Sequence, residues 1–156
     1  MTRPTRPSRR LIGVVLILLV GLPGLVWADT KNAEIIAHLE FLGYQCDAVE
    51  QGIRARHSSK IHLLLSHAEG GLLVQTGFPG KRDFTAEGTR YTVLNTVNAR
   101  ARTARAFWTD EGHLLVSAWM PGGYEKLRFA AFMEAWEQDM QVLREFSMNL
   151  KPYLSQ

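Results

Sequence analysis

The chain has 156 residues, which is the length of one domain with a short terminal extension. Its formal net charge is +3, but residues 1–28 contain four arginines and no acidic residue, so residues 29–156 carry a formal charge of about −1. The charge of residues 29–156 therefore gives no support to nucleic-acid or anionic-membrane binding. Cys46 is the single cysteine, which excludes an intramolecular disulfide.

Residues 1–28 have the three-part organisation of a secretory signal peptide. Four arginines precede an apolar run from Leu11 to Val20, and Val26 and Ala28 occupy the −3 and −1 positions of a cleavage site. We therefore predict cleavage after Ala28 and a mature chain that begins at Asp29. The exported product would be periplasmic or secreted.

The alternative is a leader that is retained as a membrane anchor. The segment from Leu11 to Trp27 is nearly long enough to span a bilayer as a helix. Pro23 and its flanking glycines would interrupt that helix near its end, which favours cleavage. Membrane contact is then expected only where cleavage fails.

The first half of residues 29–156 predicts one helix followed by four strands. Ile35, Leu39 and Leu42 recur with helical spacing over 32–42, and Gly43 ends that helix. Strands are predicted at 44–49, 53–57, 61–66 and 72–78, with turns at 51–52 and 69–71. Alternation in the first strand predicts a buried Cys46, and the leucines at 63–65 predict a central strand covered on both faces for part of its length.

The second half predicts a helix, a hairpin and a long last helix. The helix spans about 86–101, and the strands 103–109 and 113–120 flank an Asp-Glu-Gly turn at 110–112. The last helix spans about 124–150 and carries an apolar ridge of Phe129, Phe132, Trp136, Met140, Leu143 and Phe146. The order predicts a single α+β domain in which an antiparallel sheet packs against helices.

Several segments resemble the YbjN-domain family, whose fold is similar to that of type III secretion chaperones. The matching segments are 35–39, 42–44, Leu94-Asn95 with Asn98, the basic elbow from Arg100 to Arg105, Ala106-Phe107 and 110–116. The resemblance covers nearly all of residues 29–156. It implies the same fold, protein-binding surfaces and frequent dimers, and the family's members are described as proposed regulators without an established enzymatic activity. The predicted leader is a departure, because an exported protein cannot act as a cytosolic secretion chaperone.

A candidate interaction surface is predicted around the basic elbow and the nearby apolar side chains. Its members are Arg100, Arg102, Arg105, Trp108, Trp119 and Met133. Convergent cations followed by aromatic residues could contact an acidic partner or a lipid headgroup. The sequence favours the other interpretation of these residues, a solvated structural elbow with Phe107 facing the core. An exported protein is not expected to meet nucleic acid.

No pattern of catalytic or metal-binding residues is present in the sequence. His57, His62 and His67 lack a nearby carboxylate or cysteine at ligand spacing, and no serine lies in a Gly-x-Ser-x-Gly frame. Asp110 and Glu111 are consecutive turn residues rather than an acid–base pair. We predict no catalytic, cofactor or metal site and no enzymatic activity; the alternative is a cryptic hydrolase whose histidine and carboxylate side chains converge in a cleft only in the folded chain.

The sequence therefore favours an exported, non-enzymatic module that binds a protein partner in the cell envelope or regulates it. The partner is not identified, and a homodimer is a further expectation. The alternative is a small-ligand or lipid-binding domain with a pocket between the sheet and the long helix.

Overall fold

The computed structural model describes residues 23–81 and 87–155, with side chains described for residues 32–81 and 88–155. The helices are α1 (Pro23–Phe41), α2 (Glu87–Arg100), α3 (Lys126–Glu145) and α4 (Ser147–Leu150), followed by a 3₁₀ turn (Lys151–Tyr153). The strands are β1 (Gln45–Val49), β2 (Gly52–Arg56), β3 (Leu63–Ala68), β4 (Gly71–Phe78), β5 (Arg105–Trp108) and β6 (Leu114–Pro121). They form one antiparallel sheet in the order β1-β2-β3-β4-β6-β5, which confirms the predicted α+β class.

Helix α1 ends where the sequence predicted, but it begins earlier than residue 32. Gly43 adopts a φ of +90°, and the N–H groups of Gly43 and Tyr44 donate to the carbonyls of Glu40 (2.9 Å) and Leu39 (3.0 Å). This bonding pattern closes a helix at a left-handed glycine. At its other end the backbone is helical from Pro23, so the predicted cleavage point after Ala28 falls within α1.

Most of the predicted leader, residues 1–22, lies outside the described residues. Within the described part of the chain, no helix has the length and apolar character needed to cross a membrane. The prediction of a signal peptide is therefore not tested by the fold.

The turns that connect strands follow the local chemistry. Ala68 pairs with Gly71 across the β3–β4 hairpin, which leaves Glu69 and Gly70 as a two-residue turn with φ values of +48° and +74°. Two consecutive positive φ angles match the twist of antiparallel strands, and glycine adopts such an angle without steric cost.

The core lies between one face of the sheet and the helices. Ile53, Leu65, Val74 and Ala118 all point to this face and are buried, and Trp136 of α3 is fully buried against it. The predicted ridge of α3 is confirmed at Phe129, Phe132, Trp136, Met140 and Leu143, whereas Phe146 is half-buried and leaves the helix.

The last helix is shorter than its predicted span. Glu125 caps α3, where its carboxylate accepts the N–H groups of Leu127 (3.1 Å) and Arg128 (2.9 Å). At the other end Phe146 departs from helical geometry with φ −93° and ψ +7°, and α4 then begins as a separate short helix. The prediction of one continuous helix to residue 150 is therefore wrong.

The side chains on the opposite face of the sheet are more exposed than those on the face that packs against the helices. Leu63 and Leu65 are buried, but Leu64 points the other way and is only half-buried. Its neighbours across the sheet are Arg54, which is exposed, and Gln75, which is half-buried. The prediction of a strand covered on both faces is therefore wrong, because antiparallel sheets commonly leave one face to solvent. We call this second face the open face.

Candidate interaction surface

The basic elbow between α2 and β5 is held in place by a buried carboxylate. Asp139 of α3 is 3% exposed, and its oxygens accept the backbone N–H groups of Arg102 (2.9 Å), Thr103 (2.7 Å) and Ala104 (2.7 Å). A carboxylate can accept several such bonds, and burial strengthens each of them. The elbow is therefore a fixed structural turn that joins α2, α3 and the sheet.

Asp139 was missed in the sequence, although a signal for it exists. It lies three residues after Trp136 and one before Met140, which places it on the apolar ridge of α3. A carboxylate at that spacing has to be buried with partners, because an unpaired buried charge costs several kcal/mol. The partner could not be read from the sequence, since it is the backbone of a turn 35 to 37 residues away.

A second side chain fastens the free edge of β5. Asn98 of α2 donates through its amide nitrogen to the carbonyl of Ala106 (2.9 Å) and accepts the Ala106 N–H at its amide oxygen (2.8 Å). Ala106 thereby has both backbone groups occupied at an edge strand. This arrangement protects the edge against pairing with another strand.

Of the three arginines of the elbow, Arg100 and Arg102 line one depression together with Gln138 and Val142, whereas Arg105 does not line it. Arg100 forms a salt bridge with Glu145 (2.6 Å) and lies 5.4 Å from the centroid of the Phe146 ring. Arg105 donates to the Ala104 carbonyl (2.7 Å), and Arg102 is exposed. The guanidinium groups of Arg100 and Arg105 thus have intramolecular contacts, which leaves Arg102 as the elbow cation most accessible to another molecule.

Two predicted members of the interaction surface belong to the interior instead. Met133 is 2% exposed because it shares the apolar ridge of α3. Trp108 is half-buried on the covered face, where its ring packs edge-on against Tyr153 at 6.2 Å. Phe107, which was expected in the core, is 43% exposed. The parity of β5 is the reverse of the prediction, because Ala106 and Trp108 pair with the inward-facing Val116 and Leu114 of β6.

The open face carries a set of apolar side chains around two aromatic rings. Trp119 lies directly opposite Leu73 across the β4–β6 pair, and Phe107 lies opposite Leu115 across the β5–β6 pair. The two rows are four residues apart along β6, which corresponds to about 13 Å. Leu64 lies farther across the same face. The leucines are half-buried, and Trp119 is 47% exposed.

Trp119 is fixed in position although it is exposed. Its indole N–H donates to the Ala68 carbonyl (3.1 Å). A Cβ on Gly71 would lie 2.6 Å from the indole nitrogen and 2.3 Å from the Met120 carbonyl oxygen, so the ring packs directly over the glycine backbone. Gly71 is therefore required for this close approach, and the indole is already ordered before any partner binds.

A cleft opens at the other end of the molecule, between the sheet and the C-terminal helices. It has a volume of about 420 Å³ and a floor formed by Ile61, Phe78, Leu114, Leu143 and Leu150. Its outer wall is the C-terminal segment, where Leu154 bridges to Gly80 and the Lys81 N–H donates to the Tyr153 carbonyl (3.0 Å). This cleft lies in the region that the alternative reading of the sequence requires, between the sheet and α3.

The histidines and the cysteine that were considered in the sequence have local surroundings. The Nδ1 of His57 accepts the backbone N–H groups of Ser59 (3.0 Å) and Lys60 (3.1 Å), and Nε2 of His67 lies 3.0 Å from Oδ1 of Asn32. Across residues 23–81 and 87–155, no group of three or more His, Cys, Asp or Glu residues is placed to hold a metal ion. Cys46 is half-buried rather than buried, and burial raises its pKa to about 11, so the thiol stays protonated at neutral pH.

Comparison with known proteins identifies the fold. No protein-family model and no curated protein sequence matches this chain. Among solved structures, the chain is similar to the crystal structure of YbjN from E. coli, described as a proposed transcription regulator, with a TM-score of 0.61 and 18% sequence identity. The match covers 80% of this chain and 95% of that chain. An identity this low establishes the fold alone, so the YbjN-like fold is confirmed and the function is not transferred with it.

Proposed function

We propose that this protein is a non-enzymatic binding module that recognises a protein partner through the open face of its sheet. The observation that carries the proposal is Trp119, an indole that is half-exposed and yet held by a hydrogen bond to Ala68. Tryptophan is enriched among the residues that dominate binding energy, and an ordered side chain loses little entropy when a partner covers it.

The surroundings of Trp119 define the partner's chemistry. Leu64, Leu73 and Leu115 are the half-buried neighbours on the open face, and Phe107 is the second exposed ring. A partner that covers them would bury an apolar centre. On the same face Arg54 of β2, which lies opposite Leu64, is exposed, so a partner with an acidic residue beside an apolar patch would fit.

The experiment is crosslinking in the cell envelope fraction with matched aromatic variants. Trp119→Ala should lose at least tenfold of the crosslinked partner, since truncation of such an anchor commonly costs about 2 kcal/mol or more. Tyr91→Ala is the control, because Tyr91 of α2 is equally exposed, at 47%, but lies away from the open face. Equal capture by both variants would contradict the proposal. A self-crosslink that requires Trp119 would identify the partner as a second copy of the chain.

We further propose that the protein acts outside the cytoplasm after cleavage behind Ala28. The support is the order of arginines, apolar run and small residues in 1–28. The test is the intact mass of the protein recovered from the periplasmic fraction, which should correspond to a chain that starts at Asp29. Recovery of the full-length mass from the cytoplasm would refute export.

A further inference from the structure

We propose that the C-terminal cleft binds a single-chain anionic amphiphile of the fatty-acid class. In this arrangement the hydrocarbon chain lies on the apolar floor, and the carboxylate is held at the rim by Arg144 and Lys151. The site is separate from the open face, so it adds a ligand to the proposed protein-binding function and does not depend on it.

The floor provides the apolar contact. Leu114, Leu143 and Leu150 are buried beneath the cleft, while Ile61, Phe78 and Leu154 are half-buried around it. Its volume of about 420 Å³ lies in the range of sites that bind small molecules. Because each buried methylene strengthens binding by about fourfold, a chain of several carbons would gain substantially on this floor.

The charges at the rim select an anion. Among the described residues that line the cleft, the charged ones are Arg144 and Lys151, and both are cations. Within the described part of the chain neither forms a salt bridge, and the Arg144 side chain has a single hydrogen bond, to Gln141 at 3.4 Å. Both cations can therefore engage a ligand without breaking an ion pair.

Two competing local charges do not cancel this preference. Helix α3 ends at Glu145, where its dipole places about half a negative charge, but two full positive charges at the rim outweigh it. The Glu145 carboxylate itself is engaged by Arg100 at 2.6 Å on the side of the elbow. The rim therefore remains net positive toward a ligand in the cleft.

The cleft combines a fixed wall with an adaptable rim. Ser155 donates from its N–H to the Pro79 carbonyl (2.9 Å) and from its hydroxyl to the Gly80 carbonyl (3.0 Å), which holds the C-terminal segment beside the sheet. Met148 of α4 lies at the opening and is 74% exposed. Its unbranched thioether side chain can fold over a bound hydrocarbon chain at small cost.

The experiment measures binding of dodecanoate and of 1-dodecanol to the full chain by displacement of a fluorescent fatty acid. Lys151→Glu should weaken dodecanoate binding by about fivefold or more, since it replaces an attraction with a repulsion, and should leave 1-dodecanol binding unchanged. Lys126→Glu, at the other end of α3, makes the same change in net charge away from the cleft and should affect neither ligand. Ser147→Trp places a large ring in the cleft from an exposed position and should abolish binding of both.

The variants share the same residues 1–28, so any binding by the apolar run of the predicted leader is constant across the series. Saturable dodecanoate binding that is lost in Ser147→Trp and weakened in Lys151→Glu would establish the site. The absence of saturable binding, an equal loss in Lys126→Glu, or unchanged binding in both cleft variants would each overturn it. Binding to phosphatidylglycerol vesicles without binding of dodecanoate would also overturn it, in favour of membrane attachment.

Discussion

Replacing Asp139 by Asn tests whether the elbow is fastened by a buried carboxylate. The two side chains have nearly the same shape, so the change removes the charge and one acceptor oxygen without opening a cavity. The amide oxygen can keep the N–H groups of Thr103 and Ala104, which both donate to one carboxylate oxygen at 2.7 Å. The new NH₂ group then faces the N–H of Arg102, and two donors cannot bond to each other.

The expected loss of stability follows from these bonds. Two hydrogen bonds change from charge-assisted to neutral, at about 1 kcal/mol each, and one N–H loses its partner at a cost of about 1–3 kcal/mol. Relief of the buried charge offsets part of that total. We therefore expect Asp139→Asn to lower the free energy of unfolding by about 3 kcal/mol, which corresponds to a fall in Tm of about 10 °C.

The assay is equilibrium urea unfolding, with Glu134→Gln as the matched control. Glu134 lies on the same helix and is exposed, so removing its charge should change the free energy of unfolding by less than about 0.5 kcal/mol. Hydrogen exchange adds a local measurement, in which the amides of residues 102–104 should lose protection in Asp139→Asn. Equal stability of the two variants, with unchanged exchange at the elbow, would refute the assigned role of Asp139.

Four other substitutions test contacts elsewhere in the fold. Asn98→Ala should cost about 2 kcal/mol in urea unfolding, since both backbone groups of Ala106 lose their partner. Gly80→Ala should destabilise the protein by about 3 kcal/mol or more in the same assay, because its Cβ would lie 1.7 Å from a backbone oxygen. Gly88→Ala should instead stabilise it by about 0.5–1 kcal/mol, because Gly88 lies on α2 with open space around its Cβ position. Burial and a nearby lysine lower the pKa of His38 in the folded state. The unfolded chain therefore binds this proton more readily, and the free energy of unfolding decreases as pH falls below about 6.5. His38→Gln removes this group and should show a smaller loss of Tm between pH 8 and pH 5.

The parts of the fold set by local chemistry could be predicted from the sequence. Gly43 ends α1, the Glu69-Gly70 pair forms a two-residue turn, and the spacing of apolar residues along α3 identifies its buried face. Each of these features depends on neighbours within a few residues. Such features can therefore be predicted from short stretches of the sequence.

The candidate surface was harder to predict because it depends on strand register and on distant partners. Alternation in β5 separates Phe107 from Trp108, but the pairing of Ala106 with Val116 decides which of them faces the helices. One sequence signal was available, since Phe107 shares its parity with Arg105, a residue that is rarely buried. The role of Asp139 could not be predicted without the tertiary structure, because its partners belong to a turn that only the folded chain brings to α3.

The protection of β5 and the exposure of the open face support one interpretation. An apolar sheet face beside a free strand edge is a site for uncontrolled association. Here Asn98 occupies both backbone groups of Ala106, while Phe107 on the neighbouring position of the same strand stays 43% exposed. At Ala106 the β5 edge is thus closed to an added strand while the face remains open. In the proposed function, a partner would therefore be selected by side chains on the face, where Trp119 and Phe107 are exposed.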